Sequence, residues 1–127
     1  MAEILMQKVY WVFGRNTYGS YDDFIKEVDD YNNKLSSKHE WAHNKIAINH
    51  CNKIKLIYCA MWKSENNILE VVIEGKYKSF ITMGEILFKL NNESINFFQE
   101  TNNIFFGGIS KSETTEPIPV YNLWIGS

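Results

Sequence analysis

Apolar positions along the chain change period several times, and each change marks an element. Lys8 to Phe13 (Lys-Val-Tyr-Trp-Val-Phe) is β-branched and aromatic and stops at Gly14, which predicts a strand. Behind Ser20, the residues Tyr21, Phe24, Ile25, Val28, Tyr31 and Leu35 recur at helical spacing, one apolar stripe on a helix of roughly four turns. Ser20 is a good N-cap, and Asp22 and Asp23 place negative charge at the positive end of the helix dipole. Asn32-Asn33 and Ser36-Ser37 close it. Ile46 to Ile48 predicts a short strand. Ile54 to Trp62 alternates and becomes apolar on both phases toward its end, as in a strand covered on both sides. Glu65-Asn66-Asn67 then reads as a turn, and Leu69 to Glu74 alternates back, so the two strands form a hairpin.

Thr82-Met-Gly-Glu85 is a capping box, in which the hydroxyl and the carboxylate satisfy each other's free amides. Ile86, Leu87, Leu90, Phe97 and Phe98 continue that helix, interrupted at Ser94 and ended by Asn102-Asn103. After Ile104-Phe105-Phe106 and Gly107-Gly108 comes a polar loop, Ser110 to Glu116, expected to be exposed. Pro117 and Pro119 punctuate it, and Val120 to Ile125 is a closing strand. The predicted order is β-α-β-β-β-α-β-β. Connections this short favour an α+β fold, a mostly antiparallel sheet carrying two amphipathic helices. Leu56, Tyr58, Leu87 and Leu90 are the expected core.

Composition narrows the class. With 127 residues, 45% of them hydrophobic, the chain suits one domain over 1–127 with one core. Eight Phe, seven Tyr and four Trp supply much ring surface. An aromatic-rich core is the simpler account, and a protein-binding face is the other. A net charge of −2 provides no field to draw the protein onto nucleic acid or an anionic membrane. The charge is uneven, however: Asp22, Asp23, Glu27, Asp29 and Asp30 face only Lys26 and Lys34 between Ser20 and Leu35. Such a cluster is either a solvated helix face or a surface for a basic partner. Cys51 and Cys59 form no framework and are expected as buried, reduced thiols. The start of the chain lacks a signal peptide's pattern, and the longest apolar run, Leu56 to Trp62, is too short to span a bilayer, so a cytoplasmic location is expected.

One motif bears on catalysis. His39-Glu40-Trp41-Ala42-His43 matches HExxH, which on a helix sets two imidazoles one turn apart beside a carboxylate base. Here the surroundings lack helical periodicity, and no third zinc ligand follows at a suitable distance. A small zinc hydrolase using His39, Glu40 and His43 is therefore the lesser alternative. Gly107-Gly108 opens no helix and is followed by no Lys-Ser/Thr, so it is no phosphate loop. His50 and Cys51 are neighbours whose side chains would diverge on a strand. Lys53, Lys55, Lys63, Lys76 and Lys78, with Tyr58, Trp62 and Tyr77, form the best basic-aromatic patch, interrupted by Glu70 and Glu74. No catalytic residue, metal or cofactor is expected, nor a nucleic acid, membrane or small-molecule partner.

The last third adds a resemblance. Thr82-Met-Gly-Glu-Ile-Leu-Phe-Lys-Leu-Asn91, Phe105-Phe106-Gly-Gly-Ile109 and Pro119-Val-Tyr-Asn-Leu-Trp-Ile-Gly-Ser127 resemble small bacterial immunity proteins. Those proteins protect against contact-dependent growth inhibition and other polymorphic toxins. The similarity covers residues 80–127. It implies a non-enzymatic protein that occludes a cognate toxin domain, in many cases a nuclease with a basic cleft. Acidic residues would then meet the toxin, on the helix (Asp22, Asp23, Glu27, Asp29, Asp30) and in the loop (Glu113, Glu116). Another kind of protein-interaction domain is the alternative.

Overall fold

Two hairpins lie side by side in the computed structural model, which describes residues 3–60, 68–99, 104–114 and 116–126. In chain order the elements are β1 (Ile4–Leu5), α1 (Tyr21–Leu35), β2 (Ile46–Asn49), β3 (Lys53–Cys59) and β4 (Ile68–Glu74). There follow β5 (Phe80–Thr82), α2 (Met83–Glu93), α3 (Ile95–Phe98), β6 (Phe105–Lys111) and β7 (Val120–Gly126). β3 and β4 pair antiparallel from Lys53↔Glu74 to Cys59↔Ile68 without a slip. β6 and β7 pair antiparallel with a shift between Phe106 and Gly108. The hairpins meet along a parallel seam between β3 and β7, and β1 flanks β6, giving the order β1-β6-β7-β3-β4. β2 and β5 make a separate two-stranded sheet.

Alternation sorts the strands into two faces. Ile54 and Leu56 of β3, Val71 and Ile73 of β4, and Leu123 of β7 are buried together with Ile86, Leu87 and Leu90 of α2. Helix α1 joins this core through Phe24, Ile25 and Val28. Ser20 caps it as expected, accepting from Asp23 N at 3.3 Å. The capping box of α2 is also present: Thr82 N donates to Glu85 Oε1 at 3.0 Å and Glu85 N to Thr82 Oγ1 at 3.3 Å. The Ser94 hydroxyl bonds back to Leu90 O at 2.5 Å and separates α2 from the single turn of α3. Gly108 sits at φ +112°, and a Cβ there would stand 2.6 Å from Leu5 O. Only glycine lets β1 approach so closely.

The α+β class and the mostly antiparallel sheet are present, but the order of elements is β-α-β-β-β-β-α-α-β-β. The segment Lys8–Phe13 is not a sheet strand. Val9, Trp11 and Phe13 are buried at alternate positions, so its period was legible. It meets the sheet through a single antiparallel bridge, Val12 to Phe105 of β6, where Phe106 N donates to Trp11 O at 3.0 Å, and its other backbone groups find separate partners. Tyr10 N and O bond Asn32, Lys8 O accepts from Glu40 N, and Phe13 N donates to Ile104 O. Periodicity reports burial, not which partner takes the amides. Strand β5 was not expected, nor was the parallel seam. Ser110 and Lys111 belong to β6 rather than to the loop, because Ser110 is buried and its hydroxyl accepts from Trp124 Nε1 at 2.9 Å. Of the expected core, Leu56, Leu87 and Leu90 are fully buried, whereas Tyr58 is half-buried against Phe97 and Phe98. Cys51 is half-buried and Cys59 exposed, so neither thiol is deeply enclosed. The predicted turn at Glu65-Asn66-Asn67, with Met61 and Trp62, lies outside the described residues.

Candidate binding surfaces

The acidic helix comes first, because the sequence placed most weight there. Asp22, Asp23, Glu27 and Asp30 are exposed on α1, and among the described residues none makes an ion pair. Asp29 differs. It is half-buried and accepts a 2.6 Å hydrogen bond from Trp41 Nε1, so it anchors the chain after α1 to the helix. Between α1 and the segment before it runs a groove of about 280 Å³ lined by Trp11, Tyr18, Tyr31, Glu27, Asp30 and Arg15. Burial, and then the charge of Glu27, push the Tyr18 hydroxyl above its ordinary pKa. Trp11 is spent on packing: it is 8% exposed, lies edge-on to Phe24 and Tyr31, and donates from Nε1 to Asn91 Oδ1 at 2.9 Å. Arg15 also brings positive charge to this rim, so the groove is less acidic than the helix sequence implies.

Glu113 and Glu116 are exposed, as expected of the loop. Glu116 is tethered, however, with a carboxylate oxygen 3.5 Å from Lys55 Nζ, and Glu70 stands 3.1 Å from the same nitrogen. The hydrogen bond that Lys55 donates to Glu70, and then the charge of Glu116, raise the Lys55 pKa. Lys55 lies between buried Ile54 and Leu56 and so projects from the other face of the sheet. The loop therefore belongs to the open face, and α1 packs into the core on the helix side. The structure does not bring the two acidic groups together.

The open face holds what the sequence reading missed. Trp124 is 50% exposed, Ile68 57%, Phe105 43% and Val72 40%, with half-buried Ile57 among them. Cross-strand register joins them. Ile57 pairs with Glu70 and Asn122, Cys59 with Ile68, and Trp124 with Gly108. The Trp124 ring is fixed by its bond to Ser110, which spans β6 and β7. A shallow depression of about 420 Å³ opens here, walled by Ile57, Cys59, Asn122, Trp124 and Ile125. A signal existed in the sequence. Tyr121 and Leu123 are the buried phase of β7, so Trp124 is a large ring on the phase that Asn122 marks as polar. The expectation that β3 is covered on both sides fails among the described residues, where Cys59 is exposed and Ile57 half-buried.

The remaining chemistry is committed elsewhere. His39 to Ala42 belong to no helix and a turn begins at His43, so the two imidazoles are not stacked on a helix. His39 Nδ1 accepts from Trp41 N at 3.1 Å, which leaves Nε2 to donate to Asn33 Oδ1 at 2.8 Å. Both ring nitrogens are thus engaged, and the geometry that HExxH chemistry needs is absent. Among the described residues no cluster of three or more His, Cys, Asp or Glu is placed to hold a metal. A cleft of about 500 Å³ beside the start of α2 is lined by Tyr21, Asp22, His43, Lys76, Tyr77 and Glu85. Its polar atoms are largely spoken for. Glu85 accepts from Lys76 N, Thr82 N and Thr82 Oγ1, while Met83 N and Gly84 N donate to Lys45 O and His43 O. Helix α2 therefore offers no free amides to an anion. The basic-aromatic patch is broken too, since Lys55 is held by two glutamates and Tyr58 packs on α3. Lys63 and Trp62 lie outside the described residues.

Comparison with protein-family models, curated proteins and solved structures gives no match. Among the described residues, no helix is long and apolar enough to cross a membrane.

Proposed function

We propose that the chain is a non-enzymatic immunity protein, acting in the cytoplasm, that binds and neutralises a cognate toxin domain. One observation carries the binding role: apolar residues on the open sheet face, with Trp124 half exposed, bordered on the β3–β4 side by charged Lys55, Glu70 and Glu74, with Glu116 held to Lys55. Apolar and aromatic residues within a polar rim are the usual anatomy of a protein interface. The similarity of residues 80–127 to immunity proteins supports the kind of partner. The acidic residues of α1 act at longer range, drawing in a basic domain before the sheet face engages it.

The test is growth protection and direct binding, using the toxin domain encoded beside this gene. Trp124→Asp and Ile57→Asp put a charge into the centre of the face and are expected to abolish protection, with the circular dichroism of the folded chain retained. Unchanged protection in both variants overturns the assignment of the face. If no toxin gene adjoins this one and no partner co-purifies, the immunity reading falls, and a different interaction domain takes its place.

A further inference from the structure

We infer that the free edge of β4 seats a second copy of this chain, antiparallel, extending the sheet across a twofold axis at Val71. The phase of the backbone is readable. Lys55 N donates to Pro119 O at 2.9 Å, so Lys55 presents its backbone groups to β7, and Ile54 and Leu56 present theirs to β4. Their register partners Ile73 and Val71 must point back, and Gly75 N, bonded to Asn52 O at 2.8 Å, keeps the same phase. The amides and carbonyls of Ile68, Glu70, Val72 and Glu74 therefore project off the edge of the sheet. Among the described residues β4 pairs with β3 alone.

Natural sheets protect such edges by shortness, proline, bulges or lysine. The opposite edge, β1, is only two residues long. β4 is seven residues long, regular in register, and contains neither proline nor lysine. Its charges guard it poorly, because Glu70 is drawn across β3 to Lys55 at 3.1 Å. The strand is also self-complementary. An axis at Val71 pairs all seven residues with the second copy, placing Glu70 opposite Val72 and Ile68 opposite Glu74. An axis at Glu70 or at Val72 would instead oppose glutamates, which is unfavourable. This register sets each glutamate against an apolar residue, so a second copy meets no like charge directly opposite, and its arrival covers Val72 and Ile68, which are 40% and 57% exposed.

The experiment is sedimentation equilibrium of the purified chain over a concentration series, with amide exchange read at Glu70 and Val72. The expected mass rises from 14.9 kDa toward twice that value, with protection of those two amides rising in parallel. Val72→Pro removes an outward amide and no bond to β3, and is expected to hold the chain monomeric. Charge at the same position sharpens the test. Val72→Glu would face Glu70 of the second copy and weaken the dimer roughly 2- to 30-fold over its two symmetric pairs, whereas Val72→Lys would strengthen it. A monomer at every concentration, or a dimer indifferent to Val72→Pro, overturns the inference. Equal weakening by Glu and Lys overturns the register. Protection that arises only when another protein is added assigns the edge to a foreign strand, and also overturns it.

Discussion

The two faces of the main sheet are built from the same strands and differ in how they are finished. On the helix side Ile54, Leu56, Val71, Ile73 and Leu123 meet α2, and the polar groups enclosed there are bonded. Asn32 accepts from Tyr10 N and donates to Tyr10 O and Val28 O, and Asn91 accepts from Trp11 and donates to Asn16 O. On the other side Ile57, Ile68, Val72 and Trp124 share the surface with Lys55, Glu70 and Glu74, and no described helix covers them. The first face is complete within the fold. The second has apolar area that folding leaves in water, and an interface is the ordinary reason to keep it.

The contrast predicts large stability losses on one side and small ones on the other. Leu87→Ala or Leu90→Ala, each at a site with no exposure, is expected to cost roughly 2–5 kcal/mol in urea denaturation. A loss below about 1 kcal/mol at both positions would mean that the α2 stripe does not anchor the core. Next in size is Asn32→Ala, which strands the backbone groups of Tyr10 and is expected to cost about 1–3 kcal/mol. An unchanged midpoint there would show that water reaches the segment between the sheet and α1.

Much of the helix side was legible in the sequence. Stripe, cap and capping box fixed α1 and α2 because those signals are local: each requires only residues within a turn or two. The β3–β4 hairpin was legible for the same reason. What escaped depended on distant partners. That Lys8–Phe13 makes one bridge to β6 rather than a full strand is decided by Asn32 and Glu40, which take its other backbone groups, not by its own alternation. The parallel seam of β3 with β7 joins residues more than sixty positions apart. The candidate surface was half legible: the exposure of Asp22, Asp23, Glu27, Asp30, Glu113 and Glu116 followed from local polarity. That Asp29 is held by Trp41, that Glu116 is held by Lys55, and that Trp124 faces water depended on the assembled fold.

Trp124→Ala tests the open side of the comparison. Half its ring is already in water, and truncation opens buried Ser110 to solvent rather than leaving a closed cavity. The loss of stability should therefore stay at about 1–2 kcal/mol, at or below the low end expected for Leu87→Ala. Toxin affinity should nevertheless fall by at least about 2 kcal/mol, or roughly thirtyfold, if the ring is a central contact. Calorimetric titration beside a denaturation curve separates the two quantities. A stability loss comparable to that of Leu87→Ala would make the ring part of the core and erase the distinction between the faces.

The smallest effect on the fold is expected on α1, where Glu27→Lys and Asp30→Lys reverse two exposed carboxylates that hold no ion pair among the described residues. Asp29 is left alone, because its bond to Trp41 would confuse a loss of charge with a loss of structure. Asp22 and Asp23 are also kept, since they favour the start of the helix. Stability should then move by no more than about 0.5 kcal/mol. Association with a basic toxin domain should slow severalfold at low salt, with dissociation little altered, because these carboxylates steer the encounter rather than fill the interface. Screening supplies the check: the Debye length falls from about 10 Å at 0.1 M salt to about 3 Å at 1 M, so the deficit should fade over that range. Stopped-flow binding at the two ionic strengths reads this directly. A deficit that persists in high salt, or that appears in the dissociation rate, would place α1 inside the contact and return it to the rank its sequence first gave it.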